Sequence, residues 1–191
     1  MIYNEINLAV AKIADKHGHR PELRGVFFTN NRTVATDGFR LLEIYTPQDK
    51  NPENYPAVHG HSAMRGIKPF IVDAEVLKAK VKAGINGLAI KHVFDNRVEF
   101  LNTDGATADI TVVPRIQADY PKYEDIYPKG EPKAEITING QYLIDLLAVL
   151  SKLDKNKAVK LKFYGESKPL LLEAENGATQ EGYAMLMPIQ P

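Results

Sequence analysis

The spacing of apolar residues changes from helical to alternating three times along this chain, each time in the same order. Near the amino end, Ile6, Ala9, Val10 and Ile13 recur at helical spacing and predict one amphipathic face. Runs at 25–29, 33–36 and 39–44 then predict three strands. Asn30-Asn31 and Asp37-Gly38 separate them, dipeptides that accept the positive backbone angles of tight hairpins. A second copy opens with a strand at 69–72, takes Asp73 as a helix cap, and carries Val76, Leu77 and Val81 on a helix that stops near Gly84. Strands at 88–93, 97–102 and 107–113 follow, with turns at Asp95-Asn96 and Asp104-Gly105. In the third copy a strand at 135–138 precedes a cap at Asn139 and a helix with Leu143, Leu146, Leu147, Leu150 and Leu153. Its strands fall at 158–164, 168–174 and 182–189. The pattern predicts an α+β chain of three β-α-β-β-β units, the first with little room for its opening strand.

Between the first two units, 46–68 is rich in Pro, Asn, Gly and His and reads as an exposed loop. Prolines at 121, 128 and 132 make 119–133 an extended, stiff linker, because proline both disfavours helix and restricts the residue before it. The expected organisation is therefore a two-unit domain at 1–118, a linker at 119–133 and a single unit at 134–191.

The 191 residues, 44% apolar and 25% charged, suffice for real cores. Lys and Arg number 24 and Asp and Glu 24, so attraction to nucleic acid has to come from local clustering rather than net charge. The absence of cysteine excludes disulfides, thiolate metal sites and thiol catalysis. No amino-terminal leader or bilayer-spanning run stands out, which makes the cytoplasm the expected location.

Candidate chemistry is sparse. No phosphate loop, Ser-His-Asp order or carboxylate pair of enzymatic spacing is present, so no enzyme and no cofactor are expected. His17 with His19, and His59 with His61, have spacings a metal could use but lack a third ligand, and they read as loop histidines with no metal. Asp104-Gly105 and Glu175-Asn176-Gly177 are turn signals, and Asp37-Gly38 alone would be one too. Met185, Leu186 and Met187 alone would be a core strand. Cations recur after all three helices: Lys12, Lys16 and Arg20, then Lys78, Lys80 and Lys82, then Lys152, Lys155 and Lys157. They suit either duplex DNA or the negative ends of helix dipoles.

Arg20-Pro21-Glu22-Leu23-Arg24-Gly25-Val26 followed by Ala35-Thr36-Asp37-Gly38-Phe39-Arg40-Leu41 resembles the start of the middle domain of the bacterial DNA polymerase III beta subunit, the sliding clamp. Phe39 stands where that family usually has His. The run from Asp119 to Pro128 is similar to the family's linker into its last domain. Ile138-Asn139-Gly140-Gln141-Tyr142-Leu143-Ile144-Asp145 and Met187-Pro188 resemble the second half of that domain. The family's first domain has no counterpart, and between Pro128 and Glu135 there is no room for the first half of the last one. Those are the parts that close the family's two-subunit ring, so that closure does not carry over.

The resemblance implies a DNA-clamp-like fold of about one and a half clamp domains, with a role in DNA replication or repair. It also implies a peptide-binding pocket for motifs of a DNA polymerase or related protein, formed by Thr36, Gly38, Phe39, Arg40, Leu41, Pro128, Met185, Leu186, Met187, Pro188 and Ile189. Leu41, Met185, Leu186, Met187 and Ile189 would supply apolar anchoring surface, the thioethers suiting varied motifs, and Arg40 directed hydrogen bonds. Gln190 replaces the family's usual Arg and Pro191 its terminal Leu. The leading expectation is a tether of a polymerase to double-stranded DNA, sequence-independent and homo-oligomeric, since four chains would supply the twelve units of the family ring. The alternative is a clamp mimic or adaptor that captures such motifs without encircling DNA.

Overall fold

The first two repeats are held together by a reciprocal exchange of strands. The computed structural model describes residues 1–58, 60–175 and 180–189; His59, Asn176 and Gly177 of the last turn signal, Gln190 and Pro191 lie outside the described residues. Strand β1 (Ile2–Tyr3) precedes helix α1 (Glu5–Ala9) of the first repeat but pairs with β6 (Leu88–Val93) of the second, with Tyr3 opposite Leu88. Conversely β5 (Phe70–Asp73), which precedes α2 (Ala74–Lys80), pairs with β2 (Gly25–Phe28) of the first, with Phe70 opposite Phe28. With β3 (Arg32–Thr36), β4 (Leu41–Tyr45), β7 (Arg97–Thr103) and β8 (Ala108–Pro114), this gives two four-stranded antiparallel sheets, ordered β1-β6-β7-β8 and β4-β3-β2-β5.

The exchanged strands carry aromatic rings into a shared core. Phe28 stacks on Phe70 with centroids 5.0 Å apart, meets Tyr3 edge-on at 5.2 Å and lies 5.6 Å from Phe100. Val10, Ala11, Leu77 and Val81 close the core from the helix side. Each exchanged strand therefore contributes a ladder to the other repeat and a ring to the shared core.

Asp73 caps α2 as expected, accepting the N–H groups of Glu75 and Val76. The first helix departs from expectation. Its buried stripe is Asn7, Val10, Ala11 and Ala14, while Ile6 is exposed. Only Glu5–Ala9 is α-helical, and Val10–Lys12 tightens to a 3₁₀ turn, which rotates the later residues relative to α spacing. Asn7 is buried with its hydrogen bonds made: its side-chain amide donates to the carbonyls of Ile44 (2.9 Å) and Tyr45 (3.2 Å), and its backbone carbonyl accepts from the Thr33 hydroxyl at 2.8 Å. The opening strand, for which little room was expected, forms as the two residues of β1.

The 46–68 loop is only partly exposed. Tyr55, Val58 and Ile67 are buried, and the Tyr55 hydroxyl lies 2.9 Å from the Leu101 carbonyl and 3.2 Å from that of Gly87.

Contacts divide the chain into two compact units, Met1–Asp125 and Ile126–Pro191. Tyr120 stacks on Phe27 at 4.5 Å, and buried Tyr123 donates from its hydroxyl to Glu43, so both belong to the first unit. In the second unit, α3 (Gly140–Leu150) is capped by Asn139 and packs on a sheet ordered β11-β10-β9, made of Lys160–Lys162 (β9), Leu170–Glu175 (β10) and Glu181–Leu186 (β11). Leu150, Leu170, Leu172, Ala174 and Leu186 are its buried core.

The strand expected at 135–138 joins no ladder among the described residues. The Ile189 N–H donates to its Thr137 carbonyl at 2.8 Å, and Ile136 and Ile138 pack against the core of the unit. In the first unit an opening strand pairs with the other repeat, and the second unit contains only one repeat. Strand β11 ends at Leu186 instead of continuing to 189; Pro188 has no N–H to extend the ladder.

Phe28→Ala is expected to destabilise the first unit by about 3–5 kcal/mol, read from urea unfolding, because the ring bridges both exchanged strands. A loss below about 1 kcal/mol would contradict a shared core.

Candidate functional site

Thr36-Asp37-Gly38-Phe39-Arg40 forms the turn from β3 to β4 in the first unit. The Thr36 hydroxyl donates to the Arg40 carbonyl at 2.8 Å and accepts from the Gly38 N–H at 3.1 Å. One Asp37 carboxylate oxygen accepts the N–H groups of Phe39 and Arg40, both at 3.0 Å, and the other meets the Arg40 guanidinium at 2.8 Å. Gly38 adopts φ +89°, where a side chain would be strained. Burial alone would push the Asp37 carboxyl up, but the Phe39 N–H and the Arg40 groups outweigh it and hold it below its ordinary value.

The second repeat builds the same turn. The Thr103 hydroxyl donates to the Thr107 carbonyl at 2.7 Å and accepts from the Gly105 N–H at 3.0 Å, and Asp104 accepts the N–H groups of Thr107 and Ala106. Gly105 has φ +96°. The shared geometry therefore belongs to the fold. What differs is the cargo: Ala106 and Thr107 in one turn, Phe39 and Arg40 in the other. The Phe39 side chain is 100% exposed, and Leu41 beside it is half-buried while Thr36 is buried. The turn thus carries an exposed aromatic ring and an exposed guanidinium that its counterpart in the second repeat lacks.

In the second unit, Leu186 points into the core while Met185, Met187 and Ile189 are exposed, as strand alternation requires for the first two. Met185 lies across from Leu171 and, with Tyr164, Lys168 and Pro169, lines a mostly apolar groove of about 450 Å³. Pro188 is half-buried, and Pro128 is exposed outside any helix or strand. The candidates divide between the units: Thr36, Gly38, Phe39, Arg40 and Leu41 lie in the first, Pro128, Met185, Leu186, Met187, Pro188 and Ile189 in the second.

Tyr164, Pro169 and Leu171 were not singled out from sequence. A signal existed in Pro169-Leu170-Leu171-Leu172, where continuous apolarity leaves Leu171 on the outer face of a strand whose inner face is already covered.

All nine basic candidates are exposed: Lys12, Lys16, Arg20, Lys78, Lys80, Lys82, Lys152, Lys155 and Lys157. In the first unit Lys16 and Lys78 converge on Glu75, at 4.0 Å and 2.9 Å. The hydrogen bond from Lys78, reinforced by its charge, holds the Glu75 carboxyl below its ordinary value. Lys78 and Lys80 occupy the last turn of α2, whereas α3 has no cation in its last turn and Lys152, Lys155 and Lys157 follow its cap Ser151. His17 and His19 are exposed, His61 is half-buried, and no group of three potential metal ligands occurs among the described residues. No helix among them is long and apolar enough to cross a membrane.

The fold is similar to that of known sliding clamps. A DNA polymerase III subunit beta from Borrelia burgdorferi matches over 95% of this chain and 45% of its own, with 22% identity and a TM-score of 0.66. The beta chain from Streptococcus pneumoniae TIGR4 matches over 100% and 49%, with 17% identity and a TM-score of 0.65. A sliding clamp from Pseudomonas aeruginosa matches over 98% and 50%, with 16% identity and a TM-score of 0.66. This chain thus spans about half the length of these solved structures, and at such identities the likeness is one of fold. No protein-family model and no curated protein matches it.

Gly38→Ala and Gly105→Ala are each expected to cost about 1–2 kcal/mol in thermal or urea unfolding, since both sites are spacious and only the backbone angle resists a side chain. Acid should loosen both turns together. Because Asp37 and Asp104 are held below 3.8, the ordinary value, their contribution is complete above that pH and is lost as the pH falls beneath it. Amide NMR shifts of Phe39 and Ala106 that stay constant down through that range would refute this.

Proposed function

We propose that this chain is a sliding-clamp-like accessory protein of DNA replication or repair, acting in the cytoplasm as a homo-oligomer. It captures a short linear motif of a polymerase or related protein on Phe39, Arg40 and Leu41 together with Met185, Met187 and Ile189. The observation that carries this reading is the pair of matched turns, of which only one bears exposed Phe39 and Arg40. The clamp fold and the apolar groove beside Met185 support it. Aromatic and thioether surface supplies anchoring without demanding one partner shape, while Arg40, already oriented by Asp37, offers guanidinium hydrogens to a motif carbonyl or carboxylate. The exposed lysines contact duplex phosphates without reading sequence. No bond is made or broken; a partner held on the template gains effective concentration, reaching about millimolar through short flexible tethers.

A formal charge of zero and the pairing of Lys16 and Lys78 with Glu75 favour a second reading, an adaptor that binds motifs and leaves DNA alone.

Calorimetric titration with a synthetic peptide carrying the clamp-binding segment of a bacterial polymerase should show binding. Arg40→Ala with Met187→Ala should weaken it at least about tenfold, roughly 1.4 kcal/mol, without altering the unfolding curve. Unchanged affinity would remove the pocket from the proposal. Retention of duplex DNA should fall steeply with salt and vanish when Lys80, Lys82, Lys152 and Lys155 become Glu; no retention at low salt would favour the adaptor.

A further inference from the structure

The second unit repeats half of an arrangement that the first unit completes. In the first unit β5 is bonded on both edges: β2 pairs along one, and at the other the Ile116 N–H donates to the Ile71 carbonyl at 2.9 Å. Ile71 lies two residues before the helix cap Asp73, and Thr137 lies two residues before the cap Asn139. The Thr137 carbonyl accepts the Ile189 N–H at 2.8 Å, the counterpart of the Ile116 bond. The segment 135–138 is therefore already seated as an opening strand. Alternation turns the backbone groups of Ile136 and Ile138 to its other edge, where no strand pairs among the described residues.

The second half of the vacancy is β9, the outer strand of its sheet. On the equivalent strand of the first unit, core-facing Val26 and Phe28 are 0% exposed. On β9, Leu161 lies directly opposite fully buried Leu172 and so faces the core, yet it is 43% exposed, and Phe163 two residues on is 54% exposed. Tyr142 and Val149 of α3 are likewise uncovered, whereas α1 and α2 pack through the shared core of the first unit. Lys160 and Lys162, which on an edge would deter pairing, are drawn to Glu173 on the outer face of the sheet and leave the β9 backbone open.

We propose that a second copy of this chain completes the unit, each copy laying residues 135–138 along β9 of the other. One chain holds both the spare strand and the spare edge, so a single twofold contact satisfies both. It would rebuild the two four-stranded sheets and pooled core of the first unit. Ile136 and Ile138 would meet the core-facing residues of the partner's β9, Leu161 among them. Because β11 is at the opposite edge of the sheet, Met185 stays outside the joint, and this inference stands independently of peptide capture.

Sedimentation equilibrium at micromolar concentration should give twice the 21.3 kDa chain mass, or an even multiple of it. Leu161→Lys should reduce that mass, while Met185→Lys should leave it unchanged. Hydrogen exchange supplies a second readout: the Ile136 and Ile138 amides should be protected in the unaltered chain and exchange freely in Leu161→Lys, with β6 and β7 amides equally protected in both. A single-chain mass for the unaltered protein overturns the proposal. So does an oligomer whose Ile136 and Ile138 amides exchange freely, or a Leu161→Lys chain that keeps its mass.

Discussion

Mutual strand donation between adjacent repeats is the constraint on which the rest of this structure depends. A lone helix over a three-stranded meander has too few apolar neighbours on its inner face, and its opening strand has no ladder of its own to join. When two repeats trade opening strands, each sheet gains a fourth strand and each core gains the aromatic rings those strands carry. Phe70, carried across on β5, stacks on Phe28 of the other repeat, and Phe28 also meets Tyr3 and Phe100 in the shared core. The second unit shows the converse. Leu161 shares the face of fully buried Leu172 yet is 43% exposed, and 135–138, whose Ile136 and Ile138 pack against the core, pairs with no strand among the described residues.

The same duplication supplies an internal control for the surface. Two turns with the same hydrogen-bond scheme separate what the backbone requires from what the side chains add. Thr, Asp and Gly recur because a hydroxyl, a carboxylate and a residue free to take positive φ build the turn. Phe39 and Arg40 are not required by it. Their presence on a rigid support is where a partner-binding reading starts, and the clamp-like fold gives that reading its context.

Charge follows the fold less strictly. Lys16 and Lys78 come from different helices and meet at one carboxylate because the helices pack together, so part of the basic character of the first unit is spent internally. After α3, Asp154 stands among Lys152, Lys155 and Lys157 in the same turn, with no ion pair between them among the described residues.

By itself the sequence determined the repeat, the caps at Asp73 and Asn139, the meanders and the turn chemistry. These are local decisions: a carboxylate or amide two or three residues from an N–H, or an alternation of two residues, acts within a few positions of the chain. The clamp resemblance was legible in Ala35 to Leu41 and in Asp119 to Pro128 for the same reason, since turn and linker residues are chosen locally. Only the tertiary structure decided which repeat receives each opening strand, because pairing partners lie tens of residues apart and apolar periodicity names a buried face without naming what buries it. It also decided that Asn7 rather than Ile6 faces the core, since hydrogen bonds to Thr33, Ile44 and Tyr45 offset the cost of burying an amide. The failure of 135–138 to join a sheet belongs to the same class: its residues have strand character, but a strand is a relation between two segments, and the second unit holds only one of them.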